Sequence, residues 1–112
     1  MLRATYVRTL KPGVTDQQFI DAWMSPGTTP DSYPARVTIS HSLADEREII
    51  SIFEVDVSPE DFADALPTLV HPESVQRLAE IVESTRLEAV YKDTATFGSL
   101  RNTQSPPPLP QG

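Results

Sequence analysis

The sequence predicts an α+β domain in which a single antiparallel sheet carries helices on one side, and three observations predict it. Residues 2–10 and 86–97 alternate with a period of two and stand at the two ends of the folded part. The stretch E-I-I-S-I-F-E-V, 48–55, is apolar on both parities, with Ile50 and Ile52 on one and Ile49, Phe53 and Val55 on the other. A strand covered on both sides belongs at the centre of its sheet. Between these strands lie two segments with helical spacing and marked starts, around Thr15 and Ser58.

Leu2, Ala4, Tyr6, Arg8 and Leu10 alternate with Arg3, Thr5, Val7 and Thr9, and Lys11-Pro12-Gly13 stops this first strand. Thr15 with Gln18 three residues later forms a capping box, in which each side chain satisfies the other residue's free backbone N–H. Phe19, Ile20, Trp23 and Met24 then share one helical face, and Ser25-Pro26-Gly27 ends the first helix. Thr28–Pro34 has two prolines and no periodicity and is expected to be a surface loop carrying Tyr33. Ala35, Val37, Ile39 and His41 set the parity of strand two, and strand three runs from Arg47 to Val55.

Ser58 with Pro59 at the first helical position and Glu60 and Asp61 behind it predicts the start of a second helical element. Phe62, Leu66, Leu69 and Val70 form its first apolar stripe. Pro67 is expected to kink or stop the helix just before itself, and His71-Pro72-Glu73 to restart it, with Val75, Leu78, Ala79 and Val82 as the second stripe. Arg86–Phe97 supplies strand four. The order β-α-β-β-α-β is the split pattern of a ferredoxin-like fold, a four-stranded antiparallel sheet with both helices on one face. The other face needs a cover, and a twofold homodimer with sheets face to face supplies one.

Residues 1–98 make this one domain, and 99–112, with Pro106-Pro107-Pro108-Leu109-Pro110, read as a disordered Pro-rich tail. Such a tail is a flexible end or a docking peptide for an aromatic groove. The chain of 112 residues holds 9 Lys plus Arg against 16 Asp plus Glu, a net charge of −7, which argues against nucleic acid as a partner. It has no cysteine, so thiol catalysis, disulfides and thiolate metal sites are excluded. No apolar run approaches the length of a membrane span and none follows Met1-Leu2-Arg3 as a signal core, so a soluble, cytoplasmic protein is expected. Two distant histidines offer no metal-ligand spacing, and Glu54, Asp56, Glu60, Asp61 and Asp64 lack the glycine of a calcium loop, so neither metal nor tightly bound cofactor is expected.

The opening T-Y-V-R-T-L-K-P-G-V-T-D-Q-Q-F-I-D-A-W and the broken helix L-V-H-P-E-S-V-Q-R-L-A-E-I-V resemble the dimeric α+β barrel superfamily, most nearly its antibiotic-biosynthesis-monooxygenase-like domains. The resemblance covers residues 2–97. It implies a hydrophobic pocket between sheet and helices in each subunit, and an activity among cofactor-free oxygenation, haem degradation, isomerisation and none. Family oxygenases commonly pair a tryptophan with an asparagine; Trp23 is the counterpart of the first, and the one asparagine here, Asn102, stands in the tail. Haem-holding members often carry their axial histidine at the helix break, where this chain has His71.

These readings give a candidate site. His41 shares the inward parity of strand two and serves either as a general base, its ordinary pKa being near neutrality, or as a hydrogen-bonded histidine at the sheet's rim. Trp23, Tyr6, Phe62, Leu66 and Tyr91 are the candidate substrate-binding residues, for a small hydrophobic or aromatic molecule. His71 either ligates haem or caps the segment that begins at Pro72. Arg8 and Arg36 are able to hold a carboxylate, with surface placement as the simpler account. The two functions that follow are a small homodimeric enzyme of the monooxygenase or isomerase kind and a catalytically silent binding module.

Overall fold

A computed structural model describes residues 1–24 and 28–99. The predicted stop Ser25-Pro26-Gly27 and the tail from Leu100 onward lie outside the described residues. The elements are β1 (Leu2–Leu10), α1 (Asp16–Trp23), β2 (Arg36–His41), β3 (Glu48–Val55), α2 (Phe62–Leu69), α3 (Pro72–Ile81) and β4 (Val82–Lys92). The four strands form one antiparallel sheet in the order β2-β3-β1-β4, the ferredoxin-like arrangement. The doubly apolar β3 stands in the middle beside β1, as its composition requires.

Register decides which side chains share a face. Tyr6 is opposite Ser51 on β3 and Glu88 on β4, while Val7 is opposite Ile50 and Leu87. Leu2, Ala4, Tyr6, Arg8 and Leu10 therefore look inward toward the helices with Ile49, Ser51, Phe53 and Val55. The core joins Ala4, Tyr6, Leu10, Ile49 and Phe53 of the sheet to Phe19, Ala22 and Trp23 of α1 and Leu78 of α3. Phe19 and Phe53 are almost wholly buried, each contributing about 1.5–3 kcal/mol. The outer face carries Val7, Ile50, Ile52, Leu87, Ala89 and Tyr91, with no element over it among the described residues.

The capping box forms as predicted: Thr15 Oγ1 accepts from the Gln18 N–H at 3.1 Å, and Gln18 Oε1 from the Thr15 N–H at 2.8 Å. Three boundaries differ from expectation. Ser58 accepts a bond from the Asp61 N–H, but 58–61 closes as a turn and α2 begins at Phe62. Pro67 lies inside α2, on its exposed side, and does not end the helix. The break falls three residues later, at Val70–His71, because the residue before Pro72 is driven into extended backbone. Finally β4 starts at Val82 and ends at Lys92. Val82 fits the helical stripe as well as the strand, and its pairing with Leu10 decides for the strand.

The two main helices are joined by polar bonds where α1 ends. The last carbonyls of a helix have no partner within it, and here they are turned into the protein. Ser74 Oγ donates to the Trp23 carbonyl at 2.6 Å; Arg77 donates from Nε to the Ala22 carbonyl at 3.0 Å and from Nη2 to the Met24 carbonyl at 2.7 Å. The Arg77 charge also suits the negative end of the α1 dipole.

Arg77→Ala is expected to cost about 2–3 kcal/mol and Ser74→Ala about 1–2 kcal/mol, since each leaves inward-facing carbonyls unmet. Urea unfolding measures both; losses below a few tenths of a kcal/mol would show that water replaces these bonds freely.

Candidate functional site

Trp23 is the last residue of α1 and is held from three sides. Its carbonyl receives Ser74, its ring meets Phe53 edge-on at 4.5 Å between centroids, and its Nε1–H donates to Tyr33 Oη at 2.9 Å. Tyr33 Oη donates in turn to the Leu69 carbonyl at the end of α2. The loop that was expected to lie on the surface thus turns its one aromatic inward, through a short 3-10 turn at Pro30–Ser32. The sign of this in the sequence was Tyr33 itself, an aromatic with a hydroxyl amid small polar residues.

On either side of Trp23 is a cavity. The smaller, about 170 Å³, is lined by apolar residues that include Phe19, Met24, Tyr33, Ile39 and Phe53. The larger, about 360 Å³, lies between α3, β1 and β4, and Tyr6, Arg8, Trp23, Val70, Leu78 and Glu88 are among its walls. This second space exists because the β1–β4 pairing is irregular there. The register slips between Val7 and Arg8 and again between Thr9 and Leu10, so β4 bulges twice along the cavity wall. The Tyr6 ring is 6.1 Å from Trp23 and 5.6 Å from Phe53. Burial raises the Tyr6 pKa above its ordinary value, which keeps the phenol protonated and able to donate.

The candidate residues divide between several places. Tyr6 and Trp23 converge on the larger cavity. Phe62 and Tyr91 line a separate shallow cleft with Leu2 and Lys92, and Leu66 is exposed on α2. The separation follows from α2 starting late, which moves Phe62 toward the outer end of the sheet.

His41 stands at the far end of β2, in a surface groove with Lys11, Asp16 and Glu46. Both ring nitrogens are engaged, Nδ1 with the Glu46 carbonyl at 2.6 Å and Nε2 with Asp16 Oδ1 at 2.7 Å. Both partners are acceptors, so the imidazolium, with two N–H groups, fits the site better than either neutral tautomer. The Glu46 carbonyl first and the Asp16 carboxylate second raise its pKa above the ordinary value. His41 so placed ties the start of α1 to the β2–β3 turn.

His71 is the N-cap of α3, where Nδ1 accepts from the Glu73 N–H at 3.3 Å. It lines neither of the cavities beside Trp23, and the larger of these is at the low end of the range for small-ligand sites. The residues present do not fit a haem held by His71.

No family model matches the chain, and no curated protein matches it in sequence. Solved structures do match in shape. A candidate antibiotic biosynthesis monooxygenase from Chloroflexus aurantiacus J-10-fl superposes with a TM-score of 0.56 at 14% identity, over 87% of this chain and 96% of that one. An uncharacterized NIPSNAP domain protein from Burkholderia xenovorans gives 0.57 at 12% identity, over 88% and 100%. The chain shares the ferredoxin-like α+β fold of these two proteins. A dimeric protein of unknown function and ferredoxin-like fold from Bacteroides fragilis NCTC 9343 has a TM-score of 0.46 at 15% identity, over 82% and 95%. At identities of 14% and 12% the likeness to the first two carries the fold and no chemistry.

The His41 geometry predicts a pH effect. With the folded pKa above the unfolded value of 6.5, the folded state binds more protons between the two. The bonus is complete below pH 6.5 and is lost as pH rises through the folded pKa. Because His41 is exposed, it is worth about 0.5–1 kcal/mol. Unfolding of wild type and His41→Ala across pH 5.5–8.5 measures it; parallel curves would remove the imidazolium from the account.

Proposed function

We propose that the protein is a homodimeric barrel that binds a small apolar or aromatic molecule in the larger cavity, against Tyr6 and Trp23. The observation that carries this reading is the cavity itself. It opens between α3 and the inner sheet face where a well-packed domain would be filled, and two aromatic rings form its inner wall. Binding accounts for these features without a reaction. His41, with both nitrogens engaged in another groove, does not supply the cavity with a base.

Dimerisation through the outer face belongs to the same reading. Val7 is buried at the centre of that face, while Ile50 is 38%, Leu87 37% and Tyr91 49% exposed around it. Ion pairs border this patch, Arg3 with Glu54 and Asp93 at one end and Arg86 with Glu48 at the other. An apolar centre with a charged rim is how a stable protein interface is built, and a second copy of the same face meets it under twofold symmetry.

Two measurements test the proposal. Sedimentation equilibrium is expected to show a dimer, and Leu87→Glu to raise its dissociation constant roughly 30-fold or more, because the twofold axis brings like charges into an apolar centre. A wild-type monomer at high micromolar concentration would end the dimer reading. Trp23 is the sole tryptophan, so a ligand in the cavity changes its emission directly. Ala79→Phe, at an exposed position on the cavity wall, is expected to abolish that change while leaving unfolding stability within about 0.5 kcal/mol.

A further inference from the structure

Among the described residues two buried side-chain polar atoms lack a hydrogen-bond partner, Arg8 Nη1 and Ser51 Oγ. Both stand on the inner face of the sheet, and Arg8 lines the larger cavity. Arg8 is 9% exposed, and none of the ion pairs among the described residues includes it. A buried charge without a counter-charge is costly, and native proteins seldom keep one without use.

The surroundings meet part of that cost and leave a specific part unmet. The guanidinium carbon lies 4.2 Å from the centroid of the Tyr6 ring and 5.7 Å from that of Trp23. Aromatic rings attract the cation through its flat face. The five N–H groups point outward in the plane of the guanidinium, where a ring cannot receive them, and Nη1 among them has no acceptor. Burial lowers the Arg8 pKa, but a guanidinium keeps its charge in proteins. A planar anion at the edge of the guanidinium would supply the acceptor that Nη1 lacks.

Two carboxylates of the chain share the cavity wall, Glu83 and Glu88, both exposed. Glu88 is opposite Tyr6 across the strands and acts on Arg8 through its field rather than by a bond. Glu83 is paired with Arg47 at 3.5 Å. These negative groups at the rim set a limit of their own: a ligand with one negative charge passes them at less cost than one with two.

We propose that the larger cavity takes a small aromatic or aliphatic monocarboxylate, whose oxygens receive the Arg8 N–H groups while its apolar body lies against Trp23, Val70 and Leu78. This rests on the binding reading above and names the ligand class for that site. A carboxylate matches the fork of one guanidinium in a bidentate pair. Phosphate monoesters, with their second charge, are disfavoured by Glu88 and Glu83 at the rim.

The test uses the full chain and matched acid and amide pairs, from benzoate and benzamide to 2-naphthoate and 2-naphthamide. Trp23 emission and titration calorimetry are the readouts. At least one acid is expected to bind about tenfold or more tightly than its amide. Arg8→Met brings that acid to the affinity of its amide and leaves the amide unchanged; Glu88→Gln tightens the acid. Should Arg8→Met not fold, Arg8→Lys keeps the charge, loses the fork and lowers the acid's preference severalfold. Equal binding of acid and amide, or a preference that survives at Arg8→Met, overturns the anion site and leaves the binding reading standing. If no member of either series alters Trp23 emission or produces heat, both readings fall.

Discussion

The structure depends on how α1 ends. An eight-residue helix that stops inside a protein leaves carbonyls facing a low-dielectric interior, and each needs a donor. Ser74 and Arg77 of α3 supply those donors, so the two helices are joined through backbone groups as well as through side-chain packing. Trp23 is the residue at the joint. Its carbonyl belongs to the α1–α3 bond, and its indole N–H begins the chain through Tyr33 to the end of α2. Three helices are therefore positioned from one residue, whose ring stands between the two cavities. A helix pair held by apolar packing alone would close onto the sheet until such gaps were filled.

Much of this was legible in the sequence because simple periodicities were at work. The apolar residues on both parities of 48–55 placed β3 in the centre, and Thr15 with Gln18 marked the start of α1 within one residue. Where local rules competed with tertiary pairing, the sequence was ambiguous. Val82 satisfies the helical stripe and the strand equally, and only its place opposite Leu10 decides between them. Pro67 is accommodated within α2, and the extended backbone imposed ahead of Pro72 ends the helix instead. Tyr33 was assigned to a loop correctly, but nothing local to that loop reveals that Trp23 and Leu69 would offer its hydroxyl a donor and an acceptor.

The site was half legible for a similar reason. Tyr6 and Trp23 followed from parity and helical spacing and do meet. Arg8 shared the inward parity of Leu2, Ala4, Tyr6 and Leu10, and that parity was the signal. Its charge suggested the surface, because an arginine on an apolar face is ordinarily resolved by turning its head outward. The bulges that make room beside it arise from the pairing of β4 with β1, which no single stretch of sequence encodes.

The two faces of the sheet divide the work between them. Two sheets packed face to face lie about 10 Å apart, so a second copy on the outer face would meet Val7, Ile50 and Leu87 without reaching the side chains of the inner face. The cavity is bounded by α3, β1 and the bulged stretch of β4, and its charged wall residues Glu83 and Glu88 are exposed. The proposed association and the proposed ligand entry would thus use different surfaces. They are still mechanically linked through β4, since Leu87 on the outer face and Glu88 on the inner are neighbours in one strand. A partner pressing on Leu87 would fix the backbone from which Glu88 is hung, and so would bear on the electrostatics at the mouth of the cavity without contributing an atom to it.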